Sequence, residues 1–455
     1  MAPPDRPRDP RVRPRLFATS WTRATGLGAG CAALLALGLA WLPLHAASAQ
    51  PAAPATAAPS PLPSGPVEPV LPPDAGPPGA SPPPISAGAP SDSKFKTIFT
   101  NTLKYSTGLR TSPQNPAFLA SKNTNDGDEN FKQWDVTSSR WDLLSEVDIE
   151  NAYAGVRFSG AGWFDSVYRG YNANDAPSTV NHTTPAFNQF PYGTQSISGL
   201  DSYLLDAFVF GNTNIAGMHN TVRFGRSAQE WGETLFFGNN GITGGMNPID
   251  LTKQVAVPDA QFKEIILPVA QLDDDLQITP RLSVGFYYQF QWQPDISIPV
   301  GDYYSVSDTY QNGAQRDYIG GPISKGGPLE SAYLGLPENP RNNDQFGAEV
   351  HWQVPVVDVD LGFYALQYNE HALATTVIDY GVGLKQQPGQ IAQYYWQYAQ
   401  GIQEYGASFS KSLGDIALAG EASWRDNTPL NSGGVTCGIK PAATASGHPV
   451  DLGSC

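Results

Sequence analysis

The chain has 455 residues, a formal net charge of −15, and only 15% charged residues beside 11% aromatics. An acidic chain of this kind is a poor partner for nucleic acid, and its length fits one large barrel or about two or three soluble domains. Outside the N-terminus no apolar run reaches the roughly eighteen residues of a membrane helix. A mean hydropathy of −0.29 is compatible with a soluble protein or an outer-membrane barrel, where only alternate residues face lipid.

Residues 1–49 read as a signal peptide. Arg6, Arg8, Arg11, Arg13, Arg15 and Arg23 form a basic n-region, and 26–44 is an apolar core. Ala47-Ser48-Ala49 is a cleavage site, which starts the mature chain at Gln50. A membrane anchor is the weaker reading, because small and polar residues precede a long Pro-rich segment. No cysteine follows the site, which argues against a lipid anchor. Six Arg and two Asp leave with the leader, so 27 basic and 42 acidic residues become 21 and 40, a net of −19.

Residues 50–93 are dominated by Pro, Ala, Ser and Gly. That composition cannot bury enough surface to fold and leans towards extended polyproline II. It reads as a periplasmic tether or a grip on a partner, with a passive spacer as the alternative. Residues 94–455 then form the barrel domain.

From Lys94 the pattern is one of strands. In 99–109, Phe99, Leu103, Tyr105 and Leu109 lie on one face and Thr100, Thr102, Lys104 and Ser106 on the other. In 140–149, Trp141, Leu143, Val147 and Ile149 oppose Arg140, Asp142, Glu146 and Asp148. A period of two with full charges on one face suits a wet lumen and a lipid-facing exterior. Further strands are expected at 153–165, 203–210, 220–225, 264–277, 281–292, 345–353, 358–368, 402–410 and 416–425. A turn over 211–217 joins the fourth to the fifth. Tyr105, Trp141, Trp292, Trp352 and Trp424 suit interfacial girdles. Short turns such as 149–153 alternate with long polar loops at 111–139, 168–200, 293–344 and 371–400, the rhythm of periplasmic turns and outer loops. A β-sandwich rarely carries so many loops of this length.

The stretch 222–268 starts as a strand, breaks into a Gly/Asn-rich excursion around 238–245, and returns as a strand. Its apolar content, including Trp231, Met246 and Ile249, is too high for a solvated loop, so it is expected to fold into the lumen. Arg226, Glu230, Trp231, Glu233, Asn247, Asp250, Lys263 and Glu264 are therefore the candidate lumen and constriction residues. Charges there need partners, since an unpaired buried charge is costly. Pinning the segment to the wall is the preferred role for them, ahead of solute binding.

Gly225-Arg226, Trp231-Gly232-Glu233, Asn247-Pro248-Ile249-Asp250, Lys263-Glu264 and Leu267-Pro268-Val269, in this order and spacing, resemble a family of Gram-negative outer-membrane proteins catalogued as domain of unknown function 1302. The resemblance runs from about Phe95 to Pro429. It implies a signal peptide and an antiparallel transmembrane β-barrel, and supplies no substrate. By the same resemblance, partners include outer-membrane lipid and a periplasmic lipoprotein or inner-membrane exporter. That tilts the cargo towards lipids or hydrophobic compounds. After Arg425 no final amphipathic strand is visible, and relatives generally continue further. The barrel is thus expected to be incomplete at its C-terminus, with Cys437 and Cys455 a candidate disulfide in an outer loop.

The loop 123–130 resembles a calcium loop, but Gly127 sits one place early and the last required Glu is absent. A solvated acidic loop is the expectation. His182, His219, His351, His371 and His448 show no HExxH spacing, so no metal site is assigned. No GxSxG or P-loop occurs. A Ser–His pair on the wall, His351 with Ser408 or Ser410, is conceivable, but a histidine in a polar lumen is the plainer outcome. No catalytic residue, enzymatic activity or cofactor is assigned. The function expected is a channel or exporter for small, perhaps hydrophobic, molecules in the bacterial outer membrane, with 226–268 constricting the lumen. A non-transporting envelope interaction or assembly role is the alternative. Lumen aromatics such as Tyr287, Tyr364 and Tyr368 favour the first, and a plugged barrel would favour the second.

Overall fold

The computed structural model describes residues 94–233, 241–310, 312–372, 375–380, 387–414 and 416–428, and the backbone of 435–437, 439–440 and 450–451. The leader, the Pro-rich segment and the Cys437–Cys455 pairing fall outside the described residues or side chains, as does part of the Gly/Asn-rich run.

In chain order the strands are β1 (Lys96–Leu109), β2 (Val136–Glu150), β3 (Ala154–Asp165), β4 (Leu200–Ile215), β5 (Met218–Ser227), β6 (Val269–Thr279), β7 (Leu282–Gln289), β8 (Arg316–Pro322), β9 (Leu329–Leu334), β10 (Gln345–Val354), β11 (Val359–Tyr368), β12 (Thr375–Asp379), β13 (Gln390–Gln397), β14 (Ile402–Leu413), β15 (Ile416–Asp426), β16 (Val435–Cys437), β17 (Ile439–Lys440) and β18 (Val450–Asp451). Eleven of them form one antiparallel sheet in the order β1-β2-β3-β4-β5-β6-β7-β10-β11-β14-β15. These are the eleven strands expected from the alternation, with shifted ends. β1 and β15 stand at the two ends of the order.

The burial pattern is inverted relative to a soluble sheet. In β2 the buried side chains are Arg140, Asp142, Leu144 and Glu146, while Trp141, Leu143 and Val147 point the other way. Gln289 and Glu404 are 0% exposed, whereas Phe99 is 65%, Tyr105 53% and Trp424 72% exposed. Such an outward apolar face needs lipid as its solvent, and neighbouring strands supply the backbone pairing that lipid demands for every strand between β1 and β15. Tyr105 packs on Trp141 with centroids 4.8 Å apart, and Trp352 and Trp424 also face outward, as girdle residues should. Trp292 does not. It lies beyond β7, buried against His371 and Tyr398, because the chain has already turned into a loop there. Among the described residues no helix is long and apolar enough to cross a membrane.

Connections at one end are short, as at 151–153, 216–217, 280–281 and 355–358. The β4–β5 turn is tighter than the expected 211–217. β4 runs on to Ile215, and Ala216 and Gly217 both take positive φ (53° and 86°), the geometry of a two-residue hairpin turn. The opposite end carries 110–135, 166–199, 228–268, 290–344 and 369–401. Two of these were expected to be plain polar loops. They instead supply β8, β9, β12 and β13 to a second sheet, ordered β16-β12-β13-β9-β8 and packed over Trp292, Tyr394 and Trp396.

The 228–268 connection meets both ends of the main sheet. Lys104 of β1 and Glu146 of β2 bond to it, and so does Glu421 of β15. The sheet therefore wraps around this segment, which enters from the long-loop end.

Candidate functional site

The segment begins where β5 ends and crosses the concave face. Its first half docks on the β7–β15 wall. Trp231, Ile242 and Met246 are buried with Tyr287, Tyr364, Leu366, Tyr368 and Ile402. Trp231 meets Tyr287 edge-on at 5.0 Å, a favourable aromatic geometry. Glu421 accepts the backbone N–H of Glu233 (2.7 Å) and of Ile242 (3.0 Å), and Arg425 donates to the carbonyl of Gly241 (2.7 Å). Gly232 permits this approach. Its φ is +99°, and a Cβ there would lie 2.5 Å from the Glu421 carboxylate. Gly406 of β14 leaves room for Ile242 in the same way.

Three buried glutamines lie in register across β6, β7 and β10. Gln289 pairs with Gln271 and Gln345, and its side chain donates to the Met246 carbonyl at 2.6 Å. Asn247 then ties the segment to itself. Its side chain accepts from the Gln229 amide (3.1 Å) and donates to the Gln229 carbonyl.

The second half docks on the β1–β4 wall through charge. Asp250 caps the helix Leu251–Ala256, accepting from the Lys253 amide (2.8 Å) and from the Tyr203 hydroxyl (2.9 Å). Lys253 is buried over the rings of Trp163 (5.0 Å) and Tyr203 (4.9 Å), with Glu264 at 3.8 Å. Burial lowers the Lys253 pKa against the opposing charges of Glu264 and Asp250. Glu264 also meets Lys104 at 3.2 Å, and Lys263 meets Glu146 at 2.6 Å. Glu264 is not in a strand, as expected, but in the helix Phe262–Ile265, closed by a capping box with Gln261. β6 starts only at Val269.

The eight sequence candidates thus spread over two walls and form no single ring. Arg226 turns its guanidinium to the carbonyls of Leu204 and Leu205 and to Gln291. Glu230 is raised to about 7, chiefly by burial and then by the charge of Asp206. Alternation in 140–149 places Arg140, Asp142 and Glu146 on the lumen face, and the structure puts Gln289, Glu421 and Arg425 there as well. What alternation could not show is that they hold this segment. Lys253 was missed, although Asp250 followed by helix formers is a readable cap signal. Tyr287, Tyr364 and Tyr368 face inward as expected, but they lie under the segment and do not border open space.

Beside the segment's helix a cavity of about 150 Å³ remains, bounded by Ser106, Ser138, Arg140, Asp165, Thr252 and Asp302 among others. The wall pairing of His351 with Ser408 is indirect. The Tyr364 hydroxyl stands between them, at 2.9 Å from Ser408 Oγ and 3.4 Å from His351 Nε2, and Glu349 holds the same nitrogen at 3.0 Å. No Ser–His contact of the kind that activates a nucleophile results.

Fold and site together define an antiparallel outer-membrane-type β-barrel with one long-end loop folded into its lumen. The chain belongs to the family described as "Protein of unknown function (DUF1302)", whose model matches residues 30–450. No curated protein matches it. Among solved structures it is similar to a mutant ferric enterobactin receptor of Pseudomonas aeruginosa, at 8% identity over 74% of this chain and 49% of that one, with a TM-score of 0.29. The chain spans about half the length of that receptor.

Proposed function

We propose that this protein is exported by its leader to the bacterial outer membrane and acts there as a channel for small solutes, with 228–268 as its constriction. The observation that supports this is the asymmetry of the lumen. On one side the segment is held by apolar packing, while on the other a cavity of about 150 Å³ lies between the segment and the β1–β2 wall. The hydroxyls of Ser106, Ser138, Ser198 and Thr252 and the ion-paired Arg140 line part of it, which would let a small polar solute find partners there. In this reading lipid surrounds the girdles, and residues 50–93 reach a periplasmic lipoprotein or inner-membrane exporter.

The test is single-channel conductance in planar bilayers for the wild type and for Ser106→Trp, which fills the cavity. Steps in the wild type that shrink in the variant are expected. Silence from the wild type and from Trp231→Ala, with folding shown by heat-modifiable migration, would reject the channel. The envelope interaction or assembly role would then be the reading to pursue.

A further inference from the structure

The loop 123–130 is not the solvated acidic loop expected from its composition. Asn125, Asp126, Asp128 and Asn130 are all buried beneath the long connections. Most acidic groups in this region are matched. Asp128 pairs with Arg110 and accepts the Asn115 amide at 2.7 Å. Asp302 accepts from Ser198 and from the Tyr304 amide, and Asp317 from Asn123.

Asp126 and Asp308 are different. They are 1% and 0% exposed and lie together, since the Asp126 amide donates to Asp308 Oδ2 at 3.0 Å. Among the described residues neither has a Lys or Arg ion-pair partner. Arg316 gives its guanidinium to the Val180 carbonyl and the Tyr318 ring, and Lys122 goes to the Ser178 carbonyl.

Four oxygens of this cluster have no protein partner: Oδ1 of Asn125, Asp126, Asn181 and Asp308. Asn181 is fully buried, and its amide faces Asp126 Oδ2 at 3.4 Å. His182 supplies an independent sign. Its Nε2 lies 3.3 Å from the Ala186 carbonyl, a contact that needs the N–H. Its Nδ1, which has no hydrogen-bond partner, lies 3.5 Å from Asp126 Oδ2, an ion pair when the ring is protonated. With the ring neutral, two electron-rich atoms face each other in a buried site, which calls for positive charge beside them.

We infer that Asp126 and Asp308, with the amide oxygens of Asn125 and Asn181, form a calcium site that ties three long-end loops together. Hard carboxylate and amide oxygens are the donors Ca²⁺ takes. Among the described residues no three His, Cys, Asp or Glu side chains form a metal-holding group, which sets the cluster apart from a zinc centre. Nor is it an EF-hand, because its donors come from the β1–β2, β3–β4 and β7–β8 connections and not from one loop. Affinities of about 10⁻⁴–10⁻³ M are usual for extracellular calcium modules.

The test is calorimetric titration of the full-length, detergent-folded protein with CaCl₂ after treatment with EGTA, and with MgCl₂ in parallel. Saturable Ca²⁺ binding is expected, weakened about tenfold or more in Asp308→Asn. Asn181→Ala keeps both carboxylates and replaces that variant if it fails to fold. The same weakening is expected from it. A folded wild type with no saturable Ca²⁺ heat would overturn the site. So would variants that bind as the wild type does, or Mg²⁺ bound as tightly as Ca²⁺.

Discussion

On the β7–β15 wall the lumen segment is held by apolar burial backed by carboxylate-to-amide bonds, and on the β1–β4 wall by ion pairs and cation–ring contacts. The two chemistries have different energetics. Burial of Trp231, Ile242 and Met246 is additive, non-directional and insensitive to salt. Exposed ion pairs contribute about 0–1 kcal/mol each, and buried ones nearly cancel against their desolvation. The first wall therefore anchors the segment. The second positions it through charged contacts, which salt can weaken.

The sharpest way to break this division is Trp231→Ala. Removing a buried Trp is expected to cost about 3–5 kcal/mol of docking stability. The segment should detach on that side, lowering the unfolding temperature and enlarging conductance steps. If stability is unchanged, the wall is not an anchor. Glu421→Gln should come next, at about 1–3 kcal/mol, since one of two segment N–H groups loses its acceptor. Faster hydrogen exchange at Glu233 and Ile242 would report it, and slow exchange at both would count against it.

A pH effect distinguishes the walls further. Glu230 has an ordinary value of 4.5 raised to about 7 by burial and by Asp206. The folded state thus holds its proton where the unfolded chain has lost it. Docking should be strongest below about 4.5 and weaken as pH rises towards 7, with no further change above that from this group. Glu230→Gln should flatten that part of the pH–stability curve, and an unaltered curve would remove Glu230 from the account. The smallest effect is expected from Lys263→Met. Lys263 is 44% exposed, so its pair with Glu146 should be worth less than about 1 kcal/mol. Melting should hardly move, while the reversal potential under a salt gradient shifts slightly towards cation selectivity, because one positive charge leaves the lumen while Glu146 keeps its pair with Arg157 at 2.6 Å. A large loss of stability would contradict the division of roles.

Much of this molecule is legible in the order of its residues. A period of two in stretches such as 140–149 or 345–353 is imposed by strand geometry, so the eleven strands of the main sheet and their lumen faces follow from local pattern. The high apolar content of 228–268 likewise requires that it fold inward. The helical caps at Asp250 and Gln261 are local too, whereas the loop strands β8, β9, β12 and β13 and the loss of Trp292 from the girdle depend on where neighbouring loops lie. No local period encodes those positions.

The sequence by itself determined an outward apolar face, a charged inner face and one inward-folded segment, because each arises from contacts close along the chain or from composition. Which wall carries the apolar anchor and which the ion pairs emerges only in three dimensions. The tertiary structure also decided that Asp126, Asn181 and Asp308 meet in one buried cluster. Those outcomes rest on contacts between residues more than fifty positions apart, between Asp126 and Asn181 or Ile242 and Glu421, whose partners are chosen by the curl of the sheet.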